Sequence, residues 1–158
     1  MRKETFVLLL AVVVSLLVIG GGVAVYTMTR GLRNNNPGNI RHGDKWQGMA
    51  VEQKDKDFVT FNDPEYGIRA MTRILRKYYA TGRVSVRQMI STWAPPNEND
   101  TESYVLAVAK RLKVTPDETL VLDNVLPGLI AAIIRHENGV QPFSDTTIAR
   151  GIELERRA

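Results

Sequence analysis

A mainly α (α+β) protein, with a helical domain carrying one small β-hairpin behind a single N-terminal transmembrane helix, is what this chain predicts. Three observations carry that expectation. Apolar residues recur at helical spacing in successive stretches from Tyr66 onward, and a single pair of short alternating runs precedes them. Between Glu4 and Arg30 there is no charged residue, and Phe6 to Ile19 is almost wholly aliphatic.

The uncharged run comes first. At about 1.5 Å per residue it is long enough to span a hydrocarbon layer of roughly 30 Å. Arg2 and Lys3 supply a positive start, and Gly22-Val-Ala-Val-Tyr26 is a poor match to a cleavage site, so an uncleaved signal anchor over residues 1–29 is expected. Gly20, Gly21 and Gly22 weaken such a helix by about 1 kcal/mol each relative to Ala. They suit either close packing against a partner helix or a marginal anchor able to leave the bilayer.

Residues 30–158 form the expected second unit. Arg30 to Arg41 is turn chemistry throughout, with Asn34, Asn35, Asn36 and Asn39 around Pro37-Gly38. It reads either as a linker or as a polar loop folded against a cleft. Met49 to Glu52 and Asp57 to Phe61 alternate well enough for a short hairpin across Lys54-Asp55-Lys56. Asn62-Asp63-Pro64 starts a helix that runs through Tyr66, Ile68, Met71, Ile74, Leu75 and Tyr78 and ends at Gly82. Ser85 caps a short helix bearing Val86, Met89, Ile90 and Trp93. A loop rich in prolines, amides and acids follows, then a helix with Tyr104, Val105, Val108, Ala109 and Leu112 on one face. Thr115-Pro-Asp-Glu118 has the form of a capping box opening another short helix. The helix from Asp123 to Gly139 carries Leu126, Leu129, Ile130, Ile133 and Ile134 on one broad face, and Ser144 to Ala158 is a weaker, charged helix.

Glu137 lies where that apolar face runs out, on the last turn of its helix. Partial burial and the negative end of the helix dipole both disfavour a charged carboxylate there. The carboxyl is therefore expected to titrate above the roughly 4.3 of a free glutamate, as a general acid near neutral pH requires. The alternative is a solvated glutamate that merely follows a core helix.

Composition narrows the chemistry. The chain has 158 residues, no cysteine and only two histidines, His42 and His136, so thiol nucleophiles, disulfides and Cys- or His-rich metal sites are not expected. A net charge of +4 suits an anionic partner. No compact basic stripe interleaved with aromatics appears, so nucleic acid is not the expected partner. No cofactor is implied.

Leu129-Ile-Ala-Ala-Ile-Ile-Arg-His-Glu137-Asn-Gly-Val-Gln-Pro-Phe-Ser144 resembles the catalytic helix of lytic transglycosylases and goose-type lysozymes. Pro37 to Arg41, Asp63 to Gly67, Trp93 to Pro96 and Asp100 to Val105 resemble further motifs of that family. The order departs from it, because here the glutamate helix comes last, as in a circular permutation. The resemblance implies a lysozyme-like domain over residues 30–158. With the N-terminal segment it is similar to signal-anchor-release phage endolysins, held in the host inner membrane through residues 6–29 and released to the periplasm.

The resemblance implies cleavage of the β-1,4 MurNAc–GlcNAc bond in peptidoglycan glycan strands, with Glu137 as catalytic acid and a 1,6-anhydro product. Asn34, Asn35, Asn36, Asn39, Trp93, Glu98, Asn99, Thr101 and Tyr104 are the expected substrate-binding residues. Trp93 and Tyr104 serve equally as core, and Glu98 or Asp100 serves either as a second acid or as a cap on the following helix. A hydrolytic lysozyme, and a wall-binding or virion structural protein without activity, remain the rival readings.

Overall fold

Apolar spacing from residue 64 onward produces five helices that bury their greasy stripes against one another. The computed structural model describes residues 13–19, 22–96 and 100–157. Among them are β1 (Val13–Ile19), β2 (Gly22–Met28), α1 (Arg30–Arg33), α2 (Pro64–Ala80), α3 (Val86–Trp93), α4 (Thr101–Leu112), α5 (Leu122–Asn138) and α6 (Asp145–Arg156).

The transmembrane helix expected over residues 6–29 is corrected by this arrangement. β1 and β2 pair antiparallel, with Val13 opposite Met28 and Ile19 opposite Gly22. No helix among the described residues is long and apolar enough to cross a membrane. The remainder of the expected anchor, residues 6–12, 20 and 21, lies outside the described residues. Hydropathy measures transfer and not conformation. Val13, Val14, Val18, Ile19, Val23, Val25 and Thr27 are β-branched and favour strands, while the glycine run disfavours helix.

The hairpin expected across residues 54–56 is also corrected. Only isolated bridges form, Arg41 with Phe58 and Met49 with Phe61. Backbone bonds such as Ala50 N to Thr60 O and Asn62 N to Gly48 O join the two runs, and one side chain adds to them. The Gln53 amide donates to the carbonyls of Ala50 and Thr60 and accepts from the Thr60 amide. The lysozyme-like architecture with a membrane helix and a hairpin thus becomes a helical domain behind a strand pair.

The helices start for the reasons their sequences suggest. Asp63 precedes α2 with Pro64 in the first turn, where a missing N–H costs nothing. Ser85 and Gln88 form a reciprocal capping box on α3, and Ser144 caps α6. Asp100 caps α4 by accepting from the Ser103 amide. Thr115 to Glu118 differs from expectation. Glu118 accepts from the Thr115 amide, but only a turn follows and no helix. α5 starts a residue before the expected Asp123, with Val121 at the N-cap position, and Pro127 lies inside the helix. Gly139 stops α5 in the left-handed conformation with φ of 71°.

α2, α3, α4 and α5 share one core built from Ile68, Met71, Leu75, Met89, Ile90, Tyr104, Leu129, Ile130, Ile133 and Ile134. α6 lies along α2. Ile148 of α6 is buried, so this charged C-terminal helix is packed against the domain. α4 and α5 run antiparallel, with Leu112 beside Gly128 at one end and Tyr104 against His136 at the other. That pairing brings the last turn of α5 to the first turn of α4 and to the end of α3.

Candidate functional site

Glu137 is reached by side chains from three separate segments. The Tyr104 hydroxyl of α4 donates to its Oε1 at 3.0 Å, and Trp93 Nε1 at the end of α3 donates to the same oxygen at 3.2 Å. Asn39 Nδ2, from the loop after α1, donates to Oε2 at 3.1 Å. A carboxylate offers about four lone-pair positions, so these donors leave one open, on Oε2. The residue is neither buried nor fully exposed, which suits a group that must be both positioned and reached.

The supports of this carboxylate are themselves held. Tyr104 is buried, with its ring stacked on His136 at a centroid distance of 3.5 Å and an interplanar angle of 10°. Burial, then the nearby Glu137 charge, push the Tyr104 phenol far above its ordinary range, so it stays a neutral hydroxyl donor. Burial lowers the pKa of His136, against the opposing pull of Glu137 and Asp100. Through its stack on Tyr104, His136 is tied to the side chain that holds Glu137.

Asn138 connects the two ends of the domain. Its Nδ2 donates to the Pro37 carbonyl at 2.8 Å and to Ile134 O, while its Oδ1 accepts from the Thr29 hydroxyl. The loop that carries Asn39 is thereby pinned to α5. Gly31 makes the approach possible, because a Cβ there would lie 2.7 Å from Asn39 Oδ1 and 2.8 Å from Asn138 Oδ1.

Of the predicted site residues, the structure gathers Glu137, Asn39, Trp93 and Tyr104. Asn36 is fully buried, its amide bonded to Ile40 and Val59 carbonyls and its Oδ1 to the Ile40 amide. Asn34 is buried and donates to Asp55. Asn35, in the left-handed region at φ 51°, donates to the carbonyls of Phe61 and Asn62. Thr101 is buried, with its hydroxyl on Ala94 O. These four hold the loops on either side of Asn39 and Trp93. Glu98 and Asn99 lie outside the described residues.

Asp55 was not singled out by sequence reasoning, which placed it in a turn. Its carboxylate takes Arg30 and Asn34 side chains and the Asp57 and Phe58 amides. Burial opposes its charge, but these donors outweigh burial and hold its carboxyl well below the ordinary aspartate range. The available signal was local: an Asp ahead of two free amides makes an Asx-type turn.

No group of three or more potential metal-ligating side chains occurs among the described residues. No family model matches the chain. Over 129 residues it is 41% identical to protein P5 of Pseudoalteromonas phage PM2, covering 78% of this chain and 80% of that protein.

Proposed function

The chain belongs to the family of the phage PM2 protein P5, and from that premise we propose that its Glu137 cleft cleaves the β-1,4 MurNAc–GlcNAc bond of peptidoglycan, as a phage endolysin working on the wall side of the host envelope. The convergence of Asn39, Trp93 and Tyr104 on one half-buried carboxylate carries this reading. Protonated Glu137 gives its proton to the glycosidic oxygen as the bond breaks. The resulting carboxylate takes the proton of the sugar's own 6-hydroxyl, whose oxygen closes on the anomeric carbon to give a 1,6-anhydro end. This route needs one carboxyl, whereas most glycosidases place a pair about 5–9.5 Å apart.

Tyr104 can donate to the carboxylate or accept from the acid, so it serves both halves of the cycle. Trp93 Nε1 and Asn39 Nδ2 donate only and favour the charged half. The hydrolytic alternative, a muramidase, uses the same acid with water as nucleophile.

The test is mass spectrometry of peptidoglycan digested by the purified full-length protein. Anhydro ends are expected, and none after Glu137→Gln. Reducing ends would make it a lysozyme. Absence of fragments would leave a wall-binding or virion structural protein. Loss of cleavage in Glu98→Gln with Glu137→Gln still active would overturn the assignment of the acid.

A further inference from the structure

Most arginines on this domain for which an ion pair is seen are matched by acids from other segments. Arg30 meets Asp55 and Asp57, Arg76 meets Asp123 and Glu155, and Arg87 meets Glu102 and Asp117. Lys110, Arg111 and Arg135 show no ion pair among the described residues, as is true of Lys56, Arg73 and Lys113, but the first three are set apart by converging on one surface. All three line one groove of about 590 Å³ between α4 and α5, completed by Ala107, Ala132 and His136.

Two features give this groove a direction. His136 forms its near end and stacks on Tyr104, whose hydroxyl donates to Glu137. Because α4 and α5 run antiparallel, Lys110 and Arg111 lie farther from Glu137 than His136 does. A ligand lying in the groove therefore begins at His136, with the Tyr104 ring between it and Glu137, and leads away over small alanines, past successive cations. Clustered unpaired cations raise the local concentration of anions and lose this effect as salt rises. No aromatic ring lines the far part of the groove among its described residues, so it offers no platform for stacked bases.

We propose that this groove binds the carboxylate-bearing stem peptide of peptidoglycan, so that the chain recognises peptide-substituted glycan and not the bare sugar strand. The proposal rests on the cleavage reading for its ligand. The alanines accept the aliphatic peptide side chains, while Lys110, Arg111 and Arg135 meet its free carboxylates.

The test uses the full-length Glu137→Gln protein, titrated with free stem tetrapeptide and followed by amide NMR shifts. Shifts are expected at residues 110, 111, 135 and 136. They should vanish in a variant that adds Lys110→Gln, Arg111→Gln and Arg135→Gln, and persist in Lys54→Gln, which changes a lysine away from the groove. In the active background, the ratio of KM for stem-bearing glycan to that for amidase-stripped glycan should rise roughly tenfold on removing the three cations, the equivalent of about 1.4 kcal/mol. Peptide shifts in a protein that cuts no wall would support the groove and sink the cleavage reading. Cleavage without peptide shifts would overturn the groove. A duplex oligonucleotide or anionic vesicles bound more tightly than the peptide through these same three side chains would also overturn it.

Discussion

At the scale of single residues, the three groups on Glu137 are not equivalent. Tyr104 is buried and its hydroxyl donates to the carboxylate; in the proposed cycle the same hydroxyl accepts from the acid. Tyr104→Phe keeps the ring that stacks on His136 and deletes only that bond. Cleavage rate should fall roughly tenfold, about 1.4 kcal/mol of transition-state stabilisation, with KM little changed. Steady-state kinetics on solubilised glycan would check this, and an unchanged rate would remove Tyr104 from the mechanism. Asn39 reports on the other oxygen. Asn39→Asp would set a second negative charge about 3 Å from Oε2, where like charges repel ionisation. The expected result is a shift of the pH–rate profile toward higher pH, read from the alkaline limb of kcat against pH, where a general acid loses its proton.

At the scale of elements, α6 is held against α2 by contact too close for a side chain. A Cβ at Gly151 would lie 2.4 Å from Ile68 Cγ2 and 2.9 Å from Glu65 O, the latter on backbone that cannot yield cheaply. Gly151→Ala should destabilise the domain by about 1–3 kcal/mol despite the better helix propensity of alanine, measured by urea unfolding. A stabilised variant would mean that α6 moves aside. Asn138 plays the corresponding part between loop and helix. Asn138→Ala leaves the Pro37 carbonyl without its donor and frees the Asn39 loop, so activity should fall more than stability does.

The helices were legible because a buried stripe must recur every three to four residues, and that period survives in α2, α4 and α5 whatever they pack against. The acid at the end of α5 was legible for the same reason. The asparagines were less so. Four amides in one loop announce hydrogen bonding, but composition does not say whether the partner is a sugar or the loop's own backbone. Packing decides that: Asn36 turns inward to bond Ile40 and Val59 carbonyls, whereas Asn39 turns toward Glu137. The N-terminal run misled in another way. Its hydropathy was read as a membrane helix, while its β-branched residues and glycines fit the strand pair better. The far end of the basic groove was invisible, since Lys110, Arg111 and Arg135 are joined only by the pairing of α4 with α5.

On the scale of the whole molecule, the Asn-rich loop that reaches Glu137 through Asn39 is also held by a charge network through Asn34. Arg30 opens α1, and Asp55 binds it together with Asn34 and two backbone amides. The same short segment reaches Asn39 and the carboxylate, so this network fixes where the loop can lie. Asp55 has a folded pKa depressed below its unfolded value of about 3.9. Its contribution to stability is therefore complete above the unfolded value and is lost as pH falls through that value toward the folded one. Removing one partner from a charged, hydrogen-bonded cluster typically costs about 1.5–3 kcal/mol per bond to charge, and Asp55→Asn should cost at least one such bond at pH 7. Urea unfolding of both proteins between pH 7 and pH 2.5 separates this group from the other carboxylates, which titrate alike in each. The gap between wild type and variant should be widest near neutrality and should narrow below about pH 4.5. A gap that stayed constant, or widened, on acidification would show that Asp55 does not hold the loop through its charge.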